Sequence, residues 1–447
     1  MLPICVRLSV LLLAACTLHA QQGVAWPSFR GEDASGLSEG HSLPSKWNVE
    51  TGEGVKWKAA VPGLGLSSPV IWGDRLYLTT AVSDQDRKEL RTGLYGDIAS
   101  VADESEHVWK VLAYDKSTGE LVWENEVHKG VPAVKRHEKS SHANPTIATD
   151  GKHLVALFGS EGLYCLNLQG ELLWKKDFGV LDSGYFQVPE AQWEFGGSPV
   201  IHDGMVVIQA DVQKGSFLGV YRLADGEEVW RVSRDDVPTW GSPLVVDTGD
   251  RTQVVLNGWK HAGGYDFETG EVLWRVNGGG DIPTPTPIYA DGRFILTSAH
   301  GQMSPVYAVA TDMRGSVELT PDASGNLDWV ARRLGSYMAT PLLMDGLLYV
   351  VRWNGILVCL DPETGERIYQ QRLSPGAYTA SPVGGDGILY LISESGEVTV
   401  ARAGRNYAEV ATNELGGVAL ATPAISEGVV YFRVGRSLLA IDGETAQ

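Results

Sequence analysis

Short segments in which apolar and polar residues alternate run through the whole chain. Ala113–Trp123, AYDKSTGELVW, places a polar turn with Asp115 and Gly119 between two apolar stretches, which predicts a β-hairpin. Similar segments recur as GYDFETGEVLW at 264–274 and CLDPETGERIY at 359–369. Apolar residues at helical spacing are absent from the sequence. The pattern therefore predicts an all-β protein built from a repeated hairpin.

A second repeated feature, a small or hydroxyl residue followed by proline and usually an aliphatic residue, precedes a further pair of predicted strands. The prolines are Pro69, Pro145, Pro199, Pro243, Pro287, Pro341, Pro382 and Pro423. Each unit then reads strand, Asp-Gly-type turn, strand, loop, strand, Thr-Gly-type turn, strand. Four short strands in each repeat of about 40 residues are typical of a β-propeller blade. Eight units predict an eight-bladed β-propeller of four-stranded antiparallel blades.

The fourth strand of most units carries a large aromatic residue. These residues are Trp123, Trp174, Trp230, Trp274, Trp329 and Tyr369, with Val410 in the seventh unit. Unit eight ends after its third strand, whereas Trp57 stands before Pro69 at the usual distance of a fourth-strand aromatic. We therefore expect the N-terminal strand to pair into the last blade, which closes the ring and removes its open edge.

Two of the four cysteines lie in the body of the predicted propeller. Cys165 and Cys359 occupy equivalent third-strand positions of blades two and six, on opposite sides of the ring. A disulfide requires Cα atoms within about 7 Å, so we expect both to be small buried residues with free thiols.

The first 20 residues have the features of an export signal, with the basic Arg7, a short apolar run and small residues at the end. Two cleavage sites remain open. LAAC at 13–16 fits a bacterial lipobox and would leave a lipidated Cys16 at the N-terminus, whereas LHA before Gln21 fits ordinary signal peptidase. No other apolar run in the sequence reaches the roughly 18 residues of a transmembrane helix.

The rest of the chain divides into an N-terminal arm at 21–53 and the propeller at 54–447. The 447 residues carry a formal net charge of −19. A general nucleic-acid-binding role is excluded, because there is no surplus of basic residues to neutralise phosphates.

The repeat resembles that of a known family. AYDKSTGELVW matches the A-x-D-x-x-T-G-x-x-x-W repeat of quinoprotein-type propellers, in which the tryptophan docks onto the neighbouring blade. WPSFRGEDASGLS at 26–38, followed by VKWKAAVPGLGLSSPV at 55–70, resembles exported bacterial propellers of the PQQ-binding-like type. The resemblance covers residues 26–447 and implies the fold more strongly than any function.

Two branches of this family imply different functions. One branch contains dehydrogenases that hold pyrroloquinoline quinone (PQQ) and Ca²⁺ in the central funnel, with an adjacent Cys-Cys disulfide and an Asp base. The present sequence has no adjacent cysteines, and no Asp matches the base. The other branch resembles the BamB-type outer-membrane assembly lipoproteins. We expect an exported, non-catalytic protein- or ligand-binding scaffold of this type in the bacterial envelope; the alternative is a PQQ-dependent dehydrogenase.

Three insertions interrupt the repeat, at 81–110, 128–142 and 179–196. All three fall in neighbouring blades on the face where the central channel opens, and binding residues commonly lie on such loops. Segment 81–110 is rich in acidic residues, 128–142 is basic, and 179–196 carries aromatic residues. A further insertion near 312–326 is predicted to be an exposed loop on the opposite face.

These loops and their neighbours supply the candidate ligand-binding residues. They are Lys135, Arg136, His137, His142, Trp193, Trp240, His300 and Trp353. A basic loop beside aromatic side chains suits a flat anionic ligand, although the same charges can simply pair with the acidic segment. The spacing of the two loop histidines does not specify zinc, and no metal site is predicted.

These features also predict partners and location. We expect an envelope protein or a small anionic or aromatic ligand as the partner, and a monomeric chain. The protein is expected to be periplasmic, or anchored to the outer membrane if Cys16 is lipidated. Contact with the membrane is expected only through that lipid.

Overall fold

The computed structural model describes residues 25–445 except 84, 86–89, 94–98, 102 and 323. The predicted export signal and Cys16 lie outside these residues. Within them the chain forms strands β1 to β35 and two short 3₁₀-helical turns, Glu32–Ala34 and Gly159–Glu161. None of the described helices is long and apolar enough to cross a membrane.

The strands form eight sheets arranged as the blades of a propeller, and blades 1 to 4 follow the chain in order. Blade 1 contains β3 (Val70–Trp72), β4 (Arg75–Val82), β5 (His107–Asp115) and β6 (Leu121–Gly130). Blade 2 contains β7 (Ala148–Thr149), β8 (His153–Leu157), β9 (Leu163–Asn167) and β10 (Leu172–Lys176). Blade 3 contains β11 (Val200–His202), β12 (Met205–Ala210), β13 (Phe217–Arg222) and β14 (Glu228–Ser233). Blade 4 contains β15 (Leu244–Asp247), β16 (Thr252–Leu256), β17 (His261–Asp266), β18 (Val272–Asn277) and, added later in the chain, β22 (Gly315–Glu318).

Blades 5 to 8 complete the ring. Blade 5 contains β19 (Ile288–Ala290), β20 (Arg293–Thr297), β21 (Val306–Ala310) and β23 (Trp329–Ala331). Blade 6 contains β24 (Leu342–Met344), β25 (Leu347–Arg352), β26 (Ile356–Leu360) and β27 (Arg367–Arg372). Blade 7 contains β28 (Val383–Gly385), β29 (Ile388–Ile392), β30 (Glu397–Arg402) and β31 (Ala408–Glu414). Blade 8 contains β32 (Ala424–Ser426), β33 (Val429–Val434), β34 (Ser437–Ile441) and β2 (Val55–Ala60), while β1 (Pro44–Lys46) pairs with β35 (Glu444–Thr445) outside the blades.

The predicted eight-bladed ring and its closure are confirmed. The N-terminal strand β2 pairs antiparallel with β34 and places Trp57 opposite Ala440. On the other side of this junction, the buried Arg433 of blade 8 donates hydrogen bonds to the backbone carbonyls of Ser67 and Thr79 in blade 1. The two ends of the chain therefore hold one blade together, and the ring has no open side.

Most fourth-strand tryptophans dock onto the next blade, as the repeat predicts. In each case the indole N–H donates to the first carbonyl of the next blade's Thr-Gly-type turn. The pairs are Trp57–Lys116, Trp123–Leu168, Trp174–Leu223, Trp230–Phe267 and Trp329–Pro362, at 2.8–3.2 Å. The indole ring covers the glycine of that turn, so the repeated Trp and Gly form one contact between blades.

Trp274 departs from this pattern, and the prediction for the insertion near 312–326 is only partly correct. The insertion is mostly exposed, but it contains β22, which pairs in parallel with β18 and adds a fifth strand to blade 4. Trp274 is fully buried, and its indole N–H donates to Gln253 within its own blade. Blade 5 has this insertion in place of a Thr-Gly turn, so the turn onto which Trp274 would dock is missing.

A pair of matched glycines in blade 3 tests the Trp–Gly contact. Gly226 and Gly204 both have left-handed backbones, with φ of 73° and 70°, but a Cβ on Gly226 would lie 2.7 Å from Trp174, whereas one on Gly204 would meet nothing within 4 Å. Gly204→Ala should cost only the left-handed backbone penalty of about 1–2 kcal/mol. Gly226→Ala should cost a further 1–3 kcal/mol or so from overpacking. Denaturant unfolding of both variants measures the difference, and equal losses would show that the contact contributes nothing.

The proline-linked hydroxyl residues form a ring of contacts around the channel. The backbone N–H of one hydroxyl residue donates to the side-chain oxygen of its counterpart in the next blade. Seven such bonds, of 2.9–3.4 Å, join the described residues Ser68, Thr146, Ser198, Ser242, Thr286, Thr340, Ser381 and Thr422 in that order. In blade 2 the hydroxyl follows Pro145 instead of preceding it, and Ile147 takes the position that proline holds elsewhere.

The two cysteines of the propeller are where the repeat predicts. Cys165 lies on β9 and Cys359 on β26, and both are buried and free. Burial raises the pKa of Cys165 to about 12 and that of Cys359 to about 11. Both thiols are therefore protonated at neutral pH and act as packing residues.

Candidate functional site

A chamber fills the central channel of the propeller. The space between its walls measures about 1140 Å³, including the part that is open to solvent. Its wall is the ring of Ser and Thr hydroxyls described above. Aromatic side chains, chiefly Phe29, Trp193, Trp240 and Tyr337, occupy the two ends.

The N-terminal arm forms the floor of the chamber, at the end where the Asp-Gly turns lie. Trp26 pairs with Ile71 of blade 1, the turn Glu32–Ala34 contacts β15 of blade 4, and Leu37 pairs with Gly384 of blade 7, so the arm crosses the channel. Phe29 lines the chamber on one side and a second cavity of about 890 Å³ on the other.

Arg30 locks this floor in place. Its fully buried guanidinium donates to the carbonyls of Thr340, Pro341 and Pro382 in blades 6 and 7, and to two carbonyls of the arm itself. Burial lowers its pKa to about 9, still well above neutral pH. Arg30 itself has a left-handed φ of 64°, a strain that persists because these bonds determine its position.

The basic loop 128–142 crosses the opposite end and forms part of a roof. The ammonium of Lys139 pairs with Glu394 of blade 7, whose side chain is almost fully buried. Thr379 donates to the same carboxylate, and the backbone N–H of Gly93 donates to its other oxygen at 2.7 Å. A cation from the blade 1–2 loop is thus fixed to blade 7, on the other side of blade 8.

Three other candidate residues of this loop differ in their surroundings: one is exposed, one is buried and one lines the chamber. Lys135 is exposed, and its backbone N–H donates to Gln192 of the neighbouring loop. Arg136 is buried and donates to the carbonyl of Ser140. His137 lines the chamber, and burial, followed by the charge of Lys139, lowers its pKa to about 4. His137 is therefore neutral at pH 7, and the loop is less cationic than its sequence suggests.

Described parts of the acidic segment 81–110 support the roof from outside. Arg91 pairs with Glu138, Lys129 pairs with Glu106 at 2.8 Å, and Val101 forms a backbone bridge with Arg136. The interpretation that the basic loop pairs with its acidic neighbour thus accounts for some of its charges, whereas Lys139 turns to blade 7 instead.

The aromatic loop 179–196 completes the roof. Tyr185 stacks on Trp193, with ring centroids 5.5 Å apart and planes 1° apart, and Trp193 contacts Trp240 at 5.5 Å. The indole N–H of Trp240 donates to the carbonyl of Glu194 at 3.2 Å. Two of the candidates, Trp193 and Trp240, therefore meet and line the chamber.

Two further candidates, His300 and Trp353, support this roof from blades 5 and 6. His300 bonds to Asp281 at 2.6 Å, and the same carboxylate accepts a bond of 3.1 Å from the hydroxyl of Tyr185. Trp353 is half-buried and packs against the same aromatic cluster. Neither of these residues lines the chamber.

A buried acid–base pair joins the two roof loops. His142 Nδ1 lies 2.6 Å from a carboxylate oxygen of Glu194, and both side chains are 2% exposed. Burial raises the pKa of Glu194 to about 8, and burial together with the charge of Glu194 raises the pKa of Glu161 to about 7. Glu194 also has a left-handed φ of 66°. Such strain in a non-glycine residue is typical of functional or closely constrained positions.

Sequence reasoning missed several residues of the site. Glu194 and Glu394 carry no local motif, and the polar sequence of the arm does not predict that Phe29 enters the channel. The hydroxyl residues recur in the sequence, but their spacing predicts only where a strand begins. Of the eight candidates, His137, Trp193 and Trp240 line the chamber, while the other five surround it.

The chamber does not fit PQQ and Ca²⁺, which the dehydrogenase alternative requires. PQQ carries three carboxylates, but Lys139, the one Lys or Arg of the lining, is already paired with Glu394. Among the described residues no group of three or more His, Cys, Asp or Glu side chains is placed to hold a metal ion. Cys165 lies in blade 2 and Cys359 in blade 6, and both are free. They cannot form the disulfide between neighbouring cysteines that the dehydrogenases carry.

The sequence model of the outer membrane protein assembly factor BamB matches residues 40–176, 107–371 and 354–447. The chain belongs to the BamB family. The curated BamB of Alteromonas naphthalenivorans is 27% identical over 270 residues, and the match spans 57% of this chain and 60% of that protein. The chain thus matches less than two thirds of the length of this relative.

Solved structures share the fold with this BamB-family chain. The BamB of Moraxella catarrhalis superposes with a TM-score of 0.55 at 14% identity, covering 81% of this chain and 98% of its own. A europium-containing methanol dehydrogenase gives 0.64 at 11%, covering 94% and 91%. The quinohemoprotein alcohol dehydrogenase of Comamonas testosteroni gives 0.64 at 11%, covering 97% and 83%. At such identities the likeness extends to the fold alone.

Proposed function

We propose that this BamB-family chain is an exported, non-catalytic scaffold that binds an outer-membrane assembly protein in the bacterial envelope. The observation that carries the proposal is the outer surface of the roof. Val131 of loop 128–142 is 55% exposed and Val180 of loop 179–196 is 60% exposed. These are the largest exposures of any large apolar side chain among the described residues. Residues exposed on loops over a rigid scaffold are well placed for protein recognition.

The rigidity of the roof supports this role. The Lys139–Glu394 pair ties loop 128–142 to blade 7, the Glu194–His142 pair joins the two roof loops, and the Tyr185–Trp193 stack lies within the aromatic loop. The outer surface of the roof is therefore preformed. Binding to a preformed surface avoids the entropy cost of ordering loops. The curated relative is named an outer membrane protein assembly factor, which supports an assembly protein as the partner.

The export signal predicted at 1–20 supports a periplasmic location for this surface. Lipidation of Cys16 would anchor the propeller to the outer membrane, and cleavage after Ala20 would leave it free. Fractionation of cells that express the full chain distinguishes the two forms.

Affinity capture from native envelopes tests the scaffold. The wild-type chain should retain an outer-membrane assembly protein, and the Val131→Asp/Val180→Asp double variant should retain at least about tenfold less, as expected for the loss of interface anchors. Val229→Asp is the matched control, because Val229 is 49% exposed on the outer strand of blade 3, away from the roof. The proposal fails if no such protein is captured, or if the control loses it equally.

A further inference from the structure

We propose that the chamber under the roof binds a neutral polyhydroxylated ring of the saccharide class. Nothing in the scaffold role requires this site, which lies inside the propeller, whereas the proposed partner surface lies outside. The proposal rests on three observations about the lining: its hydroxyl groups, its aromatic faces and its neutralised charges.

The hydroxyl groups supply hydrogen bonds without charge. In the ring around the channel, seven of the Ser and Thr oxygens accept a backbone N–H from the preceding blade. A hydroxyl that accepts one bond still has a hydrogen to donate and a second lone pair. The oxygen of Thr284, which also lines the chamber, is shielded from solvent and has no partner among the described residues.

The aromatic residues offer ring faces against which the apolar C–H groups of such a ligand can pack. Trp193, Trp240 and Tyr337 line the roof end of the chamber, and Phe29 lines the floor. The face of an aromatic ring is negative, so it attracts the weakly positive C–H groups of a sugar ring, in addition to burying apolar area. A sugar ring has both such C–H faces and hydroxyl groups around its edge.

The charges at the chamber are already neutralised by their own partners. Lys139 is paired with Glu394, and Glu194 shares a hydrogen bond with His142. A charged ligand would leave water for a site whose charges are satisfied, which is costly. This argues against the flat anionic ligand that the basic sequence of loop 128–142 suggests and favours a neutral one.

The two ends of the chamber explain how such a ligand would be held. The arm closes the floor, and loops 128–142 and 179–196 cover one side of the roof. Leu66, Leu420 and Ala421 line the chamber from the blade 7–8 and 8–1 connections, which carry no insertion. A ligand in the chamber would therefore lie between the floor and the aromatic roof.

Calorimetric and tryptophan-fluorescence titrations of the purified chain test the proposal. The neutral probes are glucose, maltose and cellobiose, and the charged probes of similar shape are glucuronate and glucosamine. At least one neutral sugar should bind saturably, and tighter than either charged probe. Trp193→Ala should weaken that binding at least about tenfold, as for a central aromatic anchor, and Trp193→Phe should weaken it less.

Two further variants keep the test informative. Thr284→Val removes one hydroxyl at nearly constant volume and should weaken binding roughly two- to tenfold, the value of one hydrogen bond. Trp123→Ala removes a tryptophan at the outer rim of blade 1 and should leave sugar binding unchanged. If Trp193→Ala does not fold, Thr284→Val decides.

Three results would overturn the proposal: no neutral sugar binds, glucuronate binds tighter than glucose, or Trp193→Ala and Trp123→Ala weaken binding equally. Each of these results is independent of protein capture by the roof. Failure of the saccharide site and failure of the scaffold role are therefore distinguishable.

Discussion

Replacement of Arg234 by Met should lower the free energy of unfolding by about 3–5 kcal/mol, the usual cost of removing one partner from a buried ion cluster. Arg234 lies between Asp211 and Asp236, with bonds of 2.7 and 3.2 Å, and all three side chains are fully buried. Burial alone would lower the pKa of Arg234, but the two carboxylates outweigh it and raise the pKa. Without the guanidinium, two carboxyl groups would remain buried with no cation between them.

The cluster also positions the chamber. Asp211 accepts a hydrogen bond of 3.1 Å from the hydroxyl of Thr239, the residue before Trp240. Arg234→Met should therefore loosen the loop that carries Trp240 as well as destabilise the blade. Burial, together with the charge of Asp211, already raises the pKa of Asp236 to about 6, so part of the response is protonation of this carboxyl group.

Denaturant unfolding measures the effect, with Arg231→Met as the control. Arg231 lies on β14, which ends just before Arg234, but it is exposed, and its guanidinium lies over the ring of Phe217. Its loss should cost no more than about 1 kcal/mol. Comparable losses for the two variants would show that the buried cluster contributes no more than a surface cation does.

The propeller was predictable because its determinants are local and repeated. The Thr-Gly turn, the tryptophan that follows it and the proline-linked hydroxyl each recur at fixed spacing, so eight weak signals reinforce one another. The same counting predicted that β2 would complete blade 8. The repeat does not predict Trp274 and β22, because β22 comes from the chain segment of blade 5 but pairs with β18 of blade 4.

The site was less predictable, because it is made where the repeat is interrupted. The insertions 128–142 and 179–196 form the roof of the chamber, but contacts such as Lys139–Glu394 join residues 255 positions apart with no sequence signal in either. The number of basic residues in loop 128–142 is also a poor guide to the charge of the chamber, because it does not show which side chains are buried or paired. His137 contributes no charge at neutral pH, and Lys139 is paired with Glu394. The chamber is therefore less positively charged than the basic sequence of the loop suggests.

The floor shows a similar limit. The arm reads as a polar segment, yet Phe29 enters the channel and Arg30 is fully buried. The bonds of Arg30 to the carbonyls of blades 6 and 7 exist only because the ring brings those carbonyls to one point. The partners of Arg30 are backbone carbonyls, which every residue type has. The sequence therefore gives no sign of where this arginine binds.

Glu194→Gln should remove a pH dependence that the wild-type protein shows between about pH 4.5 and 8. The folded-state pKa of Glu194 is raised by burial to about 8 from an ordinary value of 4.5, so the folded state keeps a proton that the unfolded state loses. A raised pKa contributes stability that is fully present below pH 4.5 and is lost as the pH rises through 8. The slope is at most about 1.4 kcal/mol per pH unit, which amounts to several kcal/mol across this range.

Glutamine resembles the protonated carboxyl group in shape and can still bond to His142, but it does not titrate. The stability of the wild type minus that of Glu194→Gln should therefore fall steadily from pH 5 to pH 8 in denaturant unfolding. Glu190→Gln, an exposed change in the same loop, should give a constant difference. A constant difference for Glu194→Gln as well would mean that Glu194 is ionised throughout. Because the Glu194–His142 pair joins both roof loops, the observed slope would make the closed roof over the chamber less stable in alkaline than in acidic surroundings.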